Sequence, residues 1–308
     1  MYKNGRDLDG TEKRLWLAVV SGCVLVASSA ALSGFSFTRN SLLTVGFYGL
    51  FSILSARRRA NDHPVLKFAL RFLNMLLLFT IIGMVGAVAS YVSMKHSIDF
   101  KDGVLHEADR FIGFDWLGVR EWVTSHPALL VTLSAAYFTH IAFPPIIIGV
   151  LCIKEMFERL YFFMTAFGVS LTITVLVSFF FPARAAFVYY NDGSRPANAD
   201  HFDRIIQGIT DGSLTAIDLQ DLGGIITFPS FHATMAIIFA WALWPFAASR
   251  PITIFVATLL SISAIPIGGH YFVDILGGSL VAVAALCTVR TFFHRTPPMD
   301  DVVTIHAT

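Results

Sequence analysis

The chain has 308 residues, 55% of them hydrophobic and 14% charged, with a mean hydropathy of +0.67; a soluble domain carries roughly 25% charged residues, so a water-soluble globule is excluded. The net charge of +1 leaves no basic excess to neutralise a nucleic-acid backbone, which removes nucleic acid as a partner. Cys23, Cys152 and Cys287 all lie in apolar stretches without metal-ligand spacing, so neither a disulfide framework nor a thiolate metal site is expected.

Taken in chain order, apolar runs near 15 to 34, 68 to 93, 128 to 152, 160 to 181 and 271 to 293 are long enough to cross a bilayer, each needing about 20 residues. The first begins after Lys13 and Arg14 in the manner of a signal peptide, but its length and the spans that follow read as a retained helix. Three shorter runs, near 41 to 55, 232 to 248 and 252 to 267, bring the total to about eight helices, with Arg57 to Arg59 free to snorkel outward. A bilayer core admits only helices or closed barrels, and these runs lack the alternation of barrel strands. The expectation is an all-α polytopic membrane bundle forming a single integral-membrane domain over 1–308.

Orientation follows from Lys and Arg in the short connections, which stay on the cytoplasmic side. Lys3, Arg6, Lys13 and Arg14 precede the first span; Arg57 to Arg59, Lys154, Arg159, Arg250, Arg290 and Arg295 fall after even-numbered ones. Both termini are then cytoplasmic. The two long acidic loops, one with Asp99, Asp102, Glu107, Asp109, Asp115 and Glu121, the other with Asp192, Asp200, Asp203, Asp211, Asp218 and Asp221, face outward. In the first, at 95–127, apolar residues from Phe111 to Trp122 interleave with Asp115, Arg120 and Glu121, which predicts an amphipathic interfacial helix anchored by Trp116 and Trp122. A bacterial plasma membrane, with the functional face toward the periplasm or exterior, fits this arrangement.

Two segments at the outer entries of helices carry the strongest chemical signal: Phe228-Pro229-Ser230-Phe231-His232 and Gly268-Gly269-His270-Tyr271-Phe272-Val273-Asp274. Pro229 and Ser230 are helix-start residues, with Ser230 a candidate N-cap. His232 would then occupy a first turn, where unpaired N–H groups and the helix dipole favour an anion. His270 and Asp274 are four apart, so a helix would put them on one face. The carboxylate can take one imidazole N–H and leave the other nitrogen free for attack.

These residues, PSFH and GGHYFVDILGG, resemble the second and third signatures of the type-2 phosphatidic acid phosphatase superfamily. The HYxxD form is more similar to its inositol phosphorylceramide synthase and sphingomyelin synthase branch. The resemblance covers the C-terminal third, with signatures within 182–280. It implies a six-helix phosphatase-like core, no metal or other cofactor, a phosphohistidine intermediate, and a lipid phosphate, phospholipid or sphingolipid substrate drawn from membrane lipids. It further implies His270 as nucleophile, Asp274 as its orienter, His232 as the acid and later base, and Ser230 as a phosphate contact. The signature Arg six residues before the nucleophile is Ala264 here. Of the first signature only Arg195-Pro196 remains, Val188 standing at its lysine. A phosphoryl transition state needs positive charge, so Arg184, with Arg195 second, is the candidate substitute. The missing cations weaken a monoester phosphatase relative to a phosphotransferase.

Plainer readings stand beside these. Ser230 can be a helix cap alone, Arg184 an interfacial anchor, and His140 a packed or locally bonded residue ahead of Pro144 and Pro145. Gly268, Gly269, Gly277 and Gly278 serve a turn and close helix packing. Rival functions are a proton-coupled transporter using His140, His232, His270 and Asp274, and a catalytically inactive scaffold. A transporter calls for charges strung through the membrane depth, whereas only His140 lies deep. Oligomeric state is left open by the sequence.

Overall fold

Each apolar run folds as helix because a chain in lipid must satisfy its own backbone groups. The computed structural model describes residues 8–58, 63–97, 99–191 and 199–293. Lys3, Arg6, Arg59, Asp192, Arg195, Pro196 and Arg295, and the side chains of Arg57 and Arg58, lie outside the described residues.

The first three runs become α1 (Leu8–Leu32), α2 (Arg39–Arg58) and α3 (Pro64–Lys95). The expected single interfacial helix is two, α4 (Asp102–Phe111) and α5 (Trp116–Thr124), broken at Gly113, whose φ of +79° a residue with a Cβ rarely adopts. The fourth run is a bent pair, α6 (Pro127–Tyr137) and α7 (Thr139–Ile153), meeting at 43°. Pro144 and Pro145 lack the N–H groups that the carbonyls of His140 and Ile141 would accept, so the first turn of α7 is loosened near the bend. Then follow α8 (Phe157–Phe180), the short α9 (Ala186–Tyr190) and α10 (Ala199–Asp211), and finally α11 (Phe231–Leu243), α12 (Arg250–Ser263) and α13 (Phe272–Phe293). Two-residue strands β1 (Ser36–Phe37) and β2 (Ala216–Ile217) pair in parallel, Ser36 opposite Ala216, tying the α1–α2 connection to the loop after α10.

All eight runs are thus helical, and the molecule is an all-α membrane bundle. Among the described residues four helices can cross a membrane by length and composition, α1, α3, α8 and α13, and the bent α6–α7 pair makes five if it counts as one span. This is fewer than the eight expected. α11 and α12 are too short, and α2 is less apolar because Asn40, Thr44 and Tyr48 interrupt its apolar residues.

The main core is built by α3, α7, α8 and α11, with Met75, Leu78, Ile147, Leu151, Phe163 and Phe239 fully or almost fully buried. α11 is held at both ends. Ser230 caps its start, accepting from Ala233 N at 3.4 Å. At its far end Arg159 donates to the carbonyls of Trp241 and Ala242 and stacks on the Trp241 ring at 4.1 Å.

α11 and α13 approach closely where a side chain is absent. A Cβ on Gly278 would lie 2.0 Å from the Ser230 carbonyl oxygen, and Thr234 Oγ1 donates to Gly278 O at 2.8 Å. The close-packing role expected of Gly278 is therefore explicit. Gly278→Val is expected to push the two helix starts apart and destabilise the protein by about 3 kcal/mol, the upper range of overpacking, as a lowered thermal midpoint in detergent. An unchanged midpoint would contradict the contact.

Candidate functional site

The starts of α11 and α13 lie side by side, joined by a hydrogen bond from Ser230 N to Asp274 O at 2.9 Å. His232 sits in the first turn of α11. His270 precedes α13 and is not helical, so its contact with Asp274 arises differently from a helical i,i+4 pair. Gly269, with φ +73°, turns the chain, and Asp274 reaches back from the third position of the helix. Its Oδ2 accepts from Tyr271 N at 2.8 Å, the backward half of a capping box, and from His270 Nδ1 at 3.2 Å. With Asp274 ionised, a carboxylate that can only accept, Nδ1 carries the proton and Nε2 keeps its lone pair. His270 is 3% exposed and Asp274 fully buried, with Asp274 Oδ1 lacking a partner among the described residues. The His232 and His270 rings lie 5.5 Å apart between centroids, inclined at 68°.

Of the expected phosphate contacts, Ser230 is fully buried with its hydroxyl engaged in capping. Arg184 follows the end of α8, pairs with Asp203 of α10 and lies over the Phe100 ring at 5.7 Å, while its Nε has no partner among the described residues. Arg195 lies outside the described residues. Among those residues no group of three or more His, Cys, Asp or Glu is arranged as metal ligands.

The first acidic loop, expected at the outer face with an interfacial helix, also braces this site. Asp109 accepts from Phe272 N and Val273 N, both at 2.9 Å, so its two oxygens satisfy the first two N–H groups of α13. Asp102 accepts from Arg184 N, Ala185 N and the Tyr271 hydroxyl at about 3.0 Å. Ala185 has φ 132°, a strained backbone for a residue with a Cβ, and its neighbour Ala186 N donates to Gly269 O at 2.8 Å. Trp116 corrects the expected anchor: it is 1% exposed, and its Nε1 donates to His270 O at 3.1 Å. Arg120 donates to Pro266 O at 2.7 Å, holding the approach to the Gly268–Gly269 turn. Trp122 and Phe111 are exposed, as membrane-interface residues would be. Burial pushes the Asp109 carboxyl up from its ordinary range, opposed by the Phe272 and Val273 N–H groups. Burial, and then Asp109, pushes Tyr190 up to about 12, so its hydroxyl keeps its proton 2.7 Å from His106 Nδ1.

Two residues of the α6–α7 bend complete the walls. The Tyr137 ring lies against His232 at 4.4 Å, and His140 stands nearly perpendicular to His232 at 4.8 Å. No motif surrounds His140, and its depth in an apolar run is the one signal the sequence carries for it.

A family model described as the PAP2 superfamily matches residues 103–288, more than half of the chain. The chain belongs to the PAP2 superfamily. The superfamily match opens within α4 and closes within α13, so it takes in the brace, the bend and both histidine-bearing helix starts. Membership identifies an enzyme class of phosphatases and phosphotransferases, here in an integral membrane protein. No curated protein and no solved structure matches the chain significantly.

Proposed function

We propose that the chain is a membrane-embedded lipid phosphatase or phosphotransferase working through a phosphorylated His270. The observation that carries this reading is the His270–Asp274 contact, which leaves Nε2 with its lone pair, beside a second imidazole at 5.5 Å. In the first step the Nε2 lone pair forms an N–P bond. The P–O ester bond breaks, and its pair goes to the leaving oxygen, which takes a proton from the His232 imidazolium. In the second step neutral His232 takes the proton of an acceptor hydroxyl, the O–P bond forms, and the N–P pair returns to Nε2. Water as acceptor gives a phosphatase, and a lipid alcohol gives a headgroup phosphotransferase.

The transferase reading has its own support. The Arg184 charge is already met by Asp203, and Val188 and Ala264 stand where cations would be, so a singly charged diester fits better than a dianionic monoester. Arg184 and Arg195 remain the proposed cations, with Ser230 a proposed phosphate neighbour. The branch of inositol phosphorylceramide and sphingomyelin synthases, with a phosphosphingolipid or phospholipid product, is consistent with this charge pattern. Lys154, Arg159, Arg250 and Arg290 lie at the helix ends away from His232 and Asp274, which supports an outward-facing site with cytoplasmic termini, as in a bacterial plasma membrane.

The experiment is to give purified protein phosphatidate alone and, separately, a phospholipid with ceramide or diacylglycerol. Headgroup transfer without inorganic phosphate is the expected result. Phosphate release from phosphatidate would select the phosphatase, and absence of both products would refute lipid phosphoryl transfer.

A further inference from the structure

His232 has three ring neighbours and no hydrogen bond among the described residues. An imidazole that is to protonate a leaving oxygen must point at it, and nothing polar fixes this one. Its orientation is set by packing. Two of the three rings, Tyr137 and His140, come from the α6–α7 bend; the third is His270 itself.

The bend is built to hold these rings. His140 Nδ1 lies 2.6 Å from the Tyr137 carbonyl oxygen, and since a carbonyl only accepts, Nδ1 is the donor and the ring is locked. The His140 ring then meets the Tyr137 ring at 5.4 Å and 71°, and the His232 ring at 4.8 Å and 86°, both edge-to-face arrangements that rings prefer. The Tyr137 ring lies nearly parallel to His232 on one side and against the nucleophile's loop on another. A Cβ on Gly268 would come within 2.8 Å of Tyr137 Cε2 and 3.2 Å of His270 Cδ2. Tyr137 is therefore wedged between the helix start carrying one histidine and the turn carrying the other. Pro144 and Pro145 loosen the first turn of α7 beside the bend.

We infer that Tyr137 and His140 are positioning residues that seat the His232 imidazole toward His270, so that the bent α6–α7 pair is part of the reaction site. This rests on the reading of His232 as the proton donor to the leaving oxygen. A displaced donor costs most where the leaving oxygen needs the proton. An alkoxide leaves poorly without it, whereas p-nitrophenolate leaves readily.

The test uses full-length protein in detergent with two substrate pairs: phosphatidate against p-nitrophenyl phosphate, and phosphatidylcholine against p-nitrophenylphosphorylcholine. Tyr137→Leu and His140→Ala are expected to lower kcat on the lipid ester by about 30-fold or more, since misplacement by an ångström costs on the order of 100-fold, and to lower it on the aryl ester by about 3-fold or less. KM should change little, and Tyr137→Phe, which keeps the ring, should retain the lipid rate. His232→Ala serves as reference. If it shows the alkyl-over-aryl deficit and the seat variants lose both rates equally or neither, this proposal fails alone. Should His232→Ala lack that deficit, or the wild type turn over neither pair, the parent reading fails and takes the seat with it. Should Tyr137→Leu or His140→Ala not fold, Tyr137→Phe and Tyr137→Met decide the matter, the first keeping a ring and the second filling the space without one. A lipid rate in Tyr137→Met equal to that in Tyr137→Phe overturns the seat, and a selective loss of the lipid rate in Tyr137→Met supports it.

Discussion

His270→Ala is expected to lower turnover by on the order of 10⁴-fold or more and to abolish phosphoprotein, the scale seen when a nucleophile acting in a concerted group is removed. The substitution deletes the Nε2 lone pair. It also strips Asp274 Oδ2 of one of its two donors, leaving Tyr271 N at 2.8 Å, in a carboxylate that is fully buried. Folding should nonetheless survive, because the start of α13 is still held by Asp109 through Phe272 N and Val273 N. The measurement is labelling with a phosphorus-labelled substrate, quenched at alkaline pH because a phosphohistidine is lost in acid. Labelled protein in the wild type and none in His270→Ala is the expected pair of results. Equal label in both would remove His270 as the nucleophile, and a variant that keeps full turnover would remove the mechanism altogether.

Asp102→Ala is expected to be the most damaging change away from the histidines. Asp102 is nearly buried and gathers Arg184 N, Ala185 N and the Tyr271 hydroxyl from two distant parts of the chain. Truncation leaves two buried donors, Ala185 N and the Tyr271 hydroxyl, and the half-buried Arg184 N unmatched, at about 1 to 3 kcal/mol for each buried group, so a loss of about 4 kcal/mol is expected, with a thermal midpoint lower by roughly 10 °C. It also frees the strained Ala185, whose neighbour Ala186 N holds Gly269 O at the turn before His270, so activity should fall in the protein that remains folded. Asp102→Asn keeps the shape but replaces one acceptor oxygen by a donor, and should lie between Asp102→Ala and wild type. Thermal unfolding and turnover of the same preparations check this; an Asp102→Ala midpoint within about 2 °C of wild type would contradict the brace.

Asp102 and Asp109 illustrate what local sequence cannot carry. In the chain they are two of several acidic residues in a loop, and nothing nearby separates an aspartate facing water from one folded under it. Their partners are Arg184, Ala185, Tyr271, Phe272 and Val273, more than 80 residues onward. Trp116 differs from expectation for the same reason: an aromatic in an amphipathic pattern is an interfacial anchor by default, and its Nε1 contact with His270 O spans 154 residues. Arg184 reads as an unopposed cation in the sequence because its closeness to Asp203 is invisible in the 19 positions that separate them.

Local sequence is enough for the elements and for the chemistry offered at their ends. A hydrophobic run must become helix where water cannot reach its backbone, and Pro229, Ser230 and the Gly268–Gly269 pair mark where helices start and turn through local sterics alone. Those signals also set His232 and His270 at two helix entries, and the PAP2 superfamily signatures are legible there. Tertiary structure was needed to decide which entries meet, that α4 and α5 fold beneath the site, that the run at 128–152 is bent by 43° into α6 and α7, and that Tyr137 and His140 close on His232. The physical reason is range: helix starts and turns are governed by neighbours within about four residues, whereas the brace and the seat are contacts between helices, made through space by side chains whose sequence pattern is that of ordinary loop or core.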